Sequence, residues 1–160
     1  PEEPADRSAI RAVVTAAFGR AVEAELVDRL RDDGGSVISL VAVEDGRIVG
    51  HVLFSRMTAP FRALGLGPVC VAPDRQRSGI GSRLIRAGLD RAARDGWQAV
   101  FVLGEPAFYH RFGFDPDLAR GFSSPYAGPY LMAVALDGPL PVTKGRIGYA
   151  AAFQEPDQLT

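Results

Sequence analysis

The sequence predicts an α/β chain of the α+β kind, one domain in which a mixed β-sheet is flanked by helices. Three observations carry this. Two amphipathic helical segments come first, an antiparallel strand pair follows, and a strand–helix–strand crossover comes after that. At 160 residues a single core is the expectation.

Asp6 stands as the cap of a first helix, whose apolar positions Ile10, Val13, Val14, Ala17 and Phe18 form one stripe and whose stop is Gly19. Val22, Leu26 and Leu30 mark a second helix, ended by Asp32, Asp33, Gly34 and Gly35. Residues 36–44 and 47–56 are rich in β-branched and apolar types, with Glu44, Asp45 and Gly46 as hairpin chemistry between them. Pro60, Gly65 and Gly67 read as a break before a short strand over 69–72, which Pro73 stops.

A helix then starts near Gly79, buries Leu84, Ile85, Gly88, Leu89 and Ala92, and ends at Asp95 and Gly96. Residues 99–103 are continuously apolar, as a central strand is, so a right-handed parallel crossover is expected. Pro106 opens a short helix through Ala107, Phe108, Tyr109 and His110. Residues 130–136 and 146–153 read as two closing strands before a tail.

Composition narrows the function classes. Hydrophobic residues at 47% and charged residues at 23% exclude a disordered chain. A net charge of −1 provides no general attraction to nucleic acid or anionic membrane, so neither is an expected partner. Cys70 is the only cysteine, which leaves no disulfide framework and no multi-cysteine metal site; no metal is expected. The longest apolar run, 130–136, is far short of a membrane span and no leader pattern opens the chain, so a cytoplasmic protein is expected.

Chemistry concentrates in Val69-Cys70-Val71-Ala72-Pro73-Asp74-Arg75-Gln76-Arg77-Ser78-Gly79-Ile80-Gly81-Ser82, where a strand runs directly into a helix. Gly79 and Gly81 leave backbone N–H groups uncovered, and the helix points its positive end at the same place, an arrangement suited to phosphate. Arg75 and Arg77 add charge, and Ser78 and Ser82 add hydroxyl donors. A Walker A loop needs Gly-Lys-Ser/Thr, but the only lysine is Lys144. A dinucleotide fingerprint needs a third small residue where Leu84 stands.

Gln76-Arg77-Ser78-Gly79-Ile80-Gly81 resembles the Gln/Arg-x-x-Gly-x-Gly/Ala pyrophosphate loop of the Gcn5-related N-acetyltransferases, the GNAT family. Phe108-Tyr109-His110-Arg111-Phe112-Gly113-Phe114 is similar to that family's Phe-Tyr-x-x-x-Gly-Phe segment and follows the loop by one helix and one strand. The resemblance covers nearly the whole chain. It implies a GNAT-like fold with a splayed mixed sheet, one domain over 1–160 that lacks the family's first strand, and a tail at 154–160. Within the family, Leu103-Gly104-Glu105-Pro106, the run 111–114 and the stretch 149–153 resemble the YhbS-like predicted acetyltransferases.

What the resemblance implies is acetyl transfer from acetyl-coenzyme A, as co-substrate, to a primary amine by direct attack in a ternary complex. Val69, Cys70 and Val71 would pair with the pantetheine amides, with an N–H near Val71 available to the thioester oxyanion. Gln76, Arg77, Ser78, Gly79, Ile80, Gly81 and Ser82 would hold the pyrophosphate, with Phe108 beside the cofactor. Tyr109 would act as general acid toward the coenzyme A thiolate, because a phenol with a pKa of about 10 keeps its proton at neutral pH.

The resemblance implies a small-molecule or peptide amine as the acceptor. A lysine-like amine needs about 4 kcal/mol of deprotonation near pH 7. Glu23, His51, Glu105 or a water chain are the candidate bases, each side chain having a plain structural role as its alternative. The connection 18–23 and the loop 116–130 are the expected cleft walls. A Cys70 acyl-enzyme and a His51–His110 metal pair lack supporting partners in the sequence. A non-catalytic acyl-coenzyme A sensor is the alternative of another class, and a monomer or a homodimer suits either reading.

Overall fold

Two helices, α1 (Arg7–Phe18) and α2 (Val22–Asp32), precede the hairpin β1 (Ser36–Glu44) and β2 (Arg47–Arg56). Then come β3 (Ala63–Val71), α3 (Ile80–Arg94), β4 (Ala99–Leu103), the one-turn helices α4 (Pro106–Tyr109) and α5 (Pro116–Ala119), β5 (Phe122–Ser123), β6 (Leu131–Ala135) and β7 (Gly145–Arg146). This is a computed structural model, and it describes residues 1–150. Residues 151–153 of the expected last strand, and the tail, lie outside the described residues.

Five strands form a sheet in the order β1-β2-β3-β4-β6, in which β3 and β4 are parallel and the other neighbours antiparallel. This is the mixed sheet that the crossover predicts. The turn at Asp45 and Gly46 has φ of 50° and 78°, the left-handed pair that matches hairpin twist. On β2, Gly50 faces Ile80 and Leu84 of α3, so alternate residues such as His51 and Leu53 face the other layer, where α1 packs. Ile10, Val14, Leu30, Leu53, Phe54 and Ile85 form the fully buried centre between these layers.

Several local expectations change in the folded chain. β3 begins at Ala63, so Gly65 and Gly67 lie inside a strand and do not break it. Gly65 pairs with Ser55 on one side and Phe101 on the other, which outweighs the weak strand preference of glycine, and it leaves room for the Tyr149 ring, 2.8 Å from where a Cβ would stand; Gly67 falls where β3 carries an extra residue against β2. Asp6 does not cap α1; its carboxylate accepts from the Glu3 N–H at 2.8 Å.

Phe18 ends the apolar stripe but is 40% exposed, because the stripe outruns the layer it packs on. The loop after Gly113 contains α5, whose start is capped by Asp115 accepting from the Asp117 N–H at 2.8 Å. Among the described residues the closing segment forms the two-residue β7, parallel to β5, with a bridge from Gly148 to Thr58. Among the described residues no helix is long and apolar enough to cross a membrane.

Candidate active site

β3 and β4 pair at three positions only, Ala63 with Ala99, Leu64 with Val100 and Gly65 with Phe101. Beyond them β3 continues to Val71 beside β2 alone, while β4 continues beside β6. β3 also carries one extra residue against β2, since Phe54 opposes Leu66 and Val52 opposes Val69. Such a bulge turns a strand away from its neighbour. The sheet therefore splays between β3 and β4.

Backbone alternation aims polar groups into that opening. The Ala72 N–H donates to the Val49 carbonyl at 2.7 Å, so the N–H and C=O of Val71 and Val69 point away from β2. Gln76 Nε2 donates to the Val71 carbonyl at 3.2 Å. The Val71 side chain lies on the α3 face, with Cγ2 3.6 Å from where a Cβ on Gly81 would stand. Cys70 lies opposite His51 and is buried toward the other layer; burial pushes its thiol up to about 12, partly offset by a hydrogen bond from the His51 backbone.

The loop between β3 and α3 ends at Gly79, which has φ of 84° and no side chain to cap the helix behind it. The Arg83 N–H closes the first turn onto Gly79 O at 3.1 Å, so the N–H groups of Ile80, Gly81 and Ser82 have no partner within the helix. Ile80 is buried and anchors the turn. Ser78 Oγ donates to Arg75 O at 2.5 Å, so its hydroxyl is turned inward to the loop. Arg75 is committed to Glu44 through two bonds of 2.6 and 2.5 Å, and that bond holds the Glu44 carboxyl below its ordinary value. Arg77, exposed and at φ of 65°, has no ion pair among the described residues.

Tyr109 ends α4 at the far side of the opening. Its ring meets Phe108 edge to face at 4.9 Å and Phe114 at 5.8 Å, and Phe112 lies 6.4 Å away. Arg86 of α3 covers the Phe112 ring at 5.0 Å and Arg111 covers Phe108 at 4.8 Å, which ties this aromatic group to α3. Burial raises the Tyr109 phenol above its ordinary value, so its proton is retained at neutral pH.

Where β3 and β4 have parted there is a cleft of about 340 Å³, lined by the Leu66–Pro68 segment, Leu103, Phe18, Glu23, Tyr126 and Tyr149. The connection 18–23 and the loop 116–130 both contribute walls. Tyr126 and Tyr149 meet edge to face at 5.6 Å, and burial raises the Tyr149 phenol. Sequence reasoning named neither tyrosine as a site residue. Tyr149 opens the stretch 149–153, whose resemblance assigns it no role, and it reaches the cleft because Gly148 bridges to Thr58 beside the sheet.

The three candidate bases separate. Glu23 lines the cleft. His51 is fully buried, its Nε2 2.7 Å from Ser39 Oγ, and burial drives it down to about 4. Glu105 is an exposed residue that precedes α4, and its backbone carbonyl accepts from the Phe108 and Tyr109 N–H groups.

Known proteins are similar to this chain in sequence and fold. The sequence model of the acetyltransferase (GNAT) family matches residues 8–114. The chain is 40% identical over 136 residues to the uncharacterised N-acetyltransferase YjhQ of Escherichia coli (strain K12), which covers 79% of this chain and 75% of that protein. The crystal structure of the GNAT-family N-acetyltransferase YhbS from Escherichia coli, in complex with CoA, matches at a TM-score of 0.89 and 31% identity over 97% of this chain and 90% of that one. A GNAT-family acetyltransferase from Brucella melitensis in complex with acetyl-CoA matches at 0.81 and 38% identity over 95% and 94%.

Proposed function

Because the chain belongs to the acetyltransferase (GNAT) family, we propose that it transfers an acetyl group from acetyl-coenzyme A to a primary amine in a ternary complex, with Tyr109 as general acid. The observation that carries this reading is the opening between β3 and β4, which runs from the backbone groups of Val69 and Val71 that face away from β2 to the uncapped start of α3. Relatives of this fold are solved with CoA and acetyl-CoA bound, which supports the same ligand here.

Acetyl-coenzyme A supplies an acetyl group activated as a thioester. The N–H groups at the start of α3, with Arg77 beside them, hold the pyrophosphate. Val69 and Val71 pair with the pantetheine amides as an added strand would. The neutral amine nitrogen attacks the carbonyl carbon, the C–S bond breaks, and the departing thiolate takes the Tyr109 hydroxyl proton; the amine's surplus proton passes through the cleft and returns the phenolate to the phenol.

Calorimetric titration with acetyl-coenzyme A, with NADH and ATP as controls, tests the cofactor. Saturable binding of acetyl-coenzyme A alone at one site per chain supports the reading, and its absence in folded protein rejects it. Two-substrate initial rates test the order, since a ternary complex requires intersecting double-reciprocal lines and parallel lines reject it. Replacing Tyr109 with Phe is expected to lower kcat by about 10² to 10³ while cofactor affinity stays unchanged.

A further inference from the structure

One wall of the cleft carries a charge that the fold leaves half used. Glu23 Oε1 accepts two hydrogen bonds from Arg20, at 2.9 and 2.7 Å. Glu23 Oε2 is shielded from solvent and has no hydrogen-bond partner among the described residues. The Glu23 side chain is 14% exposed and that of Arg20 62%, so the ion pair faces water from one end only. A carboxylate oxygen shut away without a donor is unfavourable, and a group arriving with an N–H would relieve it.

The rest of the cleft defines that group. Among the described residues lining it, Glu23 alone carries a charge; the others are aliphatic, glycine, proline or aromatic, with rings from Phe18, Tyr126 and Tyr149. A cation is therefore complementary, and its remainder must be apolar. An acceptor that also bore a carboxylate would meet Glu23 with no basic partner on the walls. The volume of about 340 Å³ suits a small molecule.

We propose that Glu23 receives the ammonium group of the acceptor, and that the acceptor is a small monoamine with an apolar or aromatic body and no carboxylate. This rests on the acetyl-transfer reading of the same cleft. The terminal torsion of a glutamate is broad, so the unpaired oxygen turns to the ammonium while Arg20 keeps its hold from the surface. Arg20 is thus a positioning residue for Glu23.

The test measures thiol release from acetyl-coenzyme A with phenethylamine and tryptamine as probes, beside phenylalanine and tryptophan, which add only a carboxylate. The wild-type protein is expected to favour each amine over its amino acid by about tenfold or more in kcat/KM, about 1.4 kcal/mol. Glu23→Gln is expected to raise KM for phenethylamine about tenfold with kcat nearly unchanged and acetyl-coenzyme A affinity intact, and Glu23→Asp to restore part of it.

Equal or better use of the amino acids overturns the inference. So does an unchanged KM in Glu23→Gln, a loss confined to kcat, or a protein that binds acetyl-coenzyme A but acetylates none of the probes. Should Glu23→Gln not fold, Arg20→Ala changes an exposed residue and must raise the same KM, and an unchanged value overturns the proposal. Absence of acetyl-coenzyme A binding would reject the acetyl-transfer reading itself, and this inference with it.

Discussion

The ring of Tyr109 lies across the backbone of Gly104, with Tyr109 Cδ2 3.0 Å from where a Cβ on Gly104 would stand and Cε2 closer still. A methyl group there would overlap the ring. The turn from β4 into α4 is held by the Phe108 and Tyr109 N–H groups on the Glu105 carbonyl, so the ring would have to yield before the backbone does.

Gly104→Ala is therefore expected to move the phenol. Turnover should fall toward that of Tyr109→Phe, about 10²-fold or more below wild type, while acetyl-coenzyme A affinity stays within about threefold. Calorimetry and steady-state rates on the same preparation check this; unchanged turnover would mean that the position of the ring does not matter to the chemistry.

The two loop glycines should respond differently. Gly79 is at φ of 84°, where a side chain costs about 1 to 2 kcal/mol, whereas Gly81 lies in the first turn of α3 with ordinary room for a Cβ. Gly79→Ala is expected to lower stability by about that amount and to weaken acetyl-coenzyme A by about tenfold, because the turn aims the helix N–H groups. Gly81→Ala should match or exceed wild-type stability by up to about 1 kcal/mol, since Ala is the better helix former, and should keep the cofactor. Equal losses in the two variants would contradict this assignment.

His51 makes stability depend on pH. Burial drives its folded value to about 4, against 6.5 for an ordinary histidine; the charge of Arg31 acts in the same sense and that of Glu2 opposes it. Between those values the unfolded chain binds the proton and the folded chain does not. The contribution is whole above about pH 6.5 and is lost as pH falls to about 4, a loss of about 3 kcal/mol. Urea unfolding at a series of pH values should show a flatter profile for His51→Gln than for wild type; superimposable slopes would refute the assignment.

Cys70 is expected to be chemically silent. Its thiol is buried and pushed up to about 12, so an aromatic disulfide reagent should label it only after unfolding. Cys70→Ala should retain turnover within about twofold, at a stability cost of about 1 kcal/mol. Fast labelling of the native protein, or loss of activity in the variant, would reopen a covalent route.

Much of the fold was legible because its signals are local. The hairpin turn at Asp45 and Gly46, the stripe of Leu84, Ile85 and Ala92 on α3, and the strand Ala99–Leu103 each depend on residues within a few positions of one another. The phosphate loop is legible for the same reason: a strand, two glycines and a helix start are contiguous. The beginning of β3 was not, since Gly65 looks like part of a break until β2 and β4 are placed on either side of it.

The candidate site divides along the same line. Tyr109 sits in a seven-residue motif and the start of α3 in another, and contiguous spacing was enough to name both, together with the mixed α/β sheet and the family. The segments 18–23 and 116–130 were legible as cleft walls, but tertiary packing alone brought Tyr149 to them, turned Cys70 and His51 away from the cleft, and committed Arg75 to Glu44. These relationships join residues up to more than a hundred positions apart, and they depend on which face of a strand a side chain occupies and where β3 parts from β4. Spacing along the chain encodes neither; the packing of whole layers against each other does.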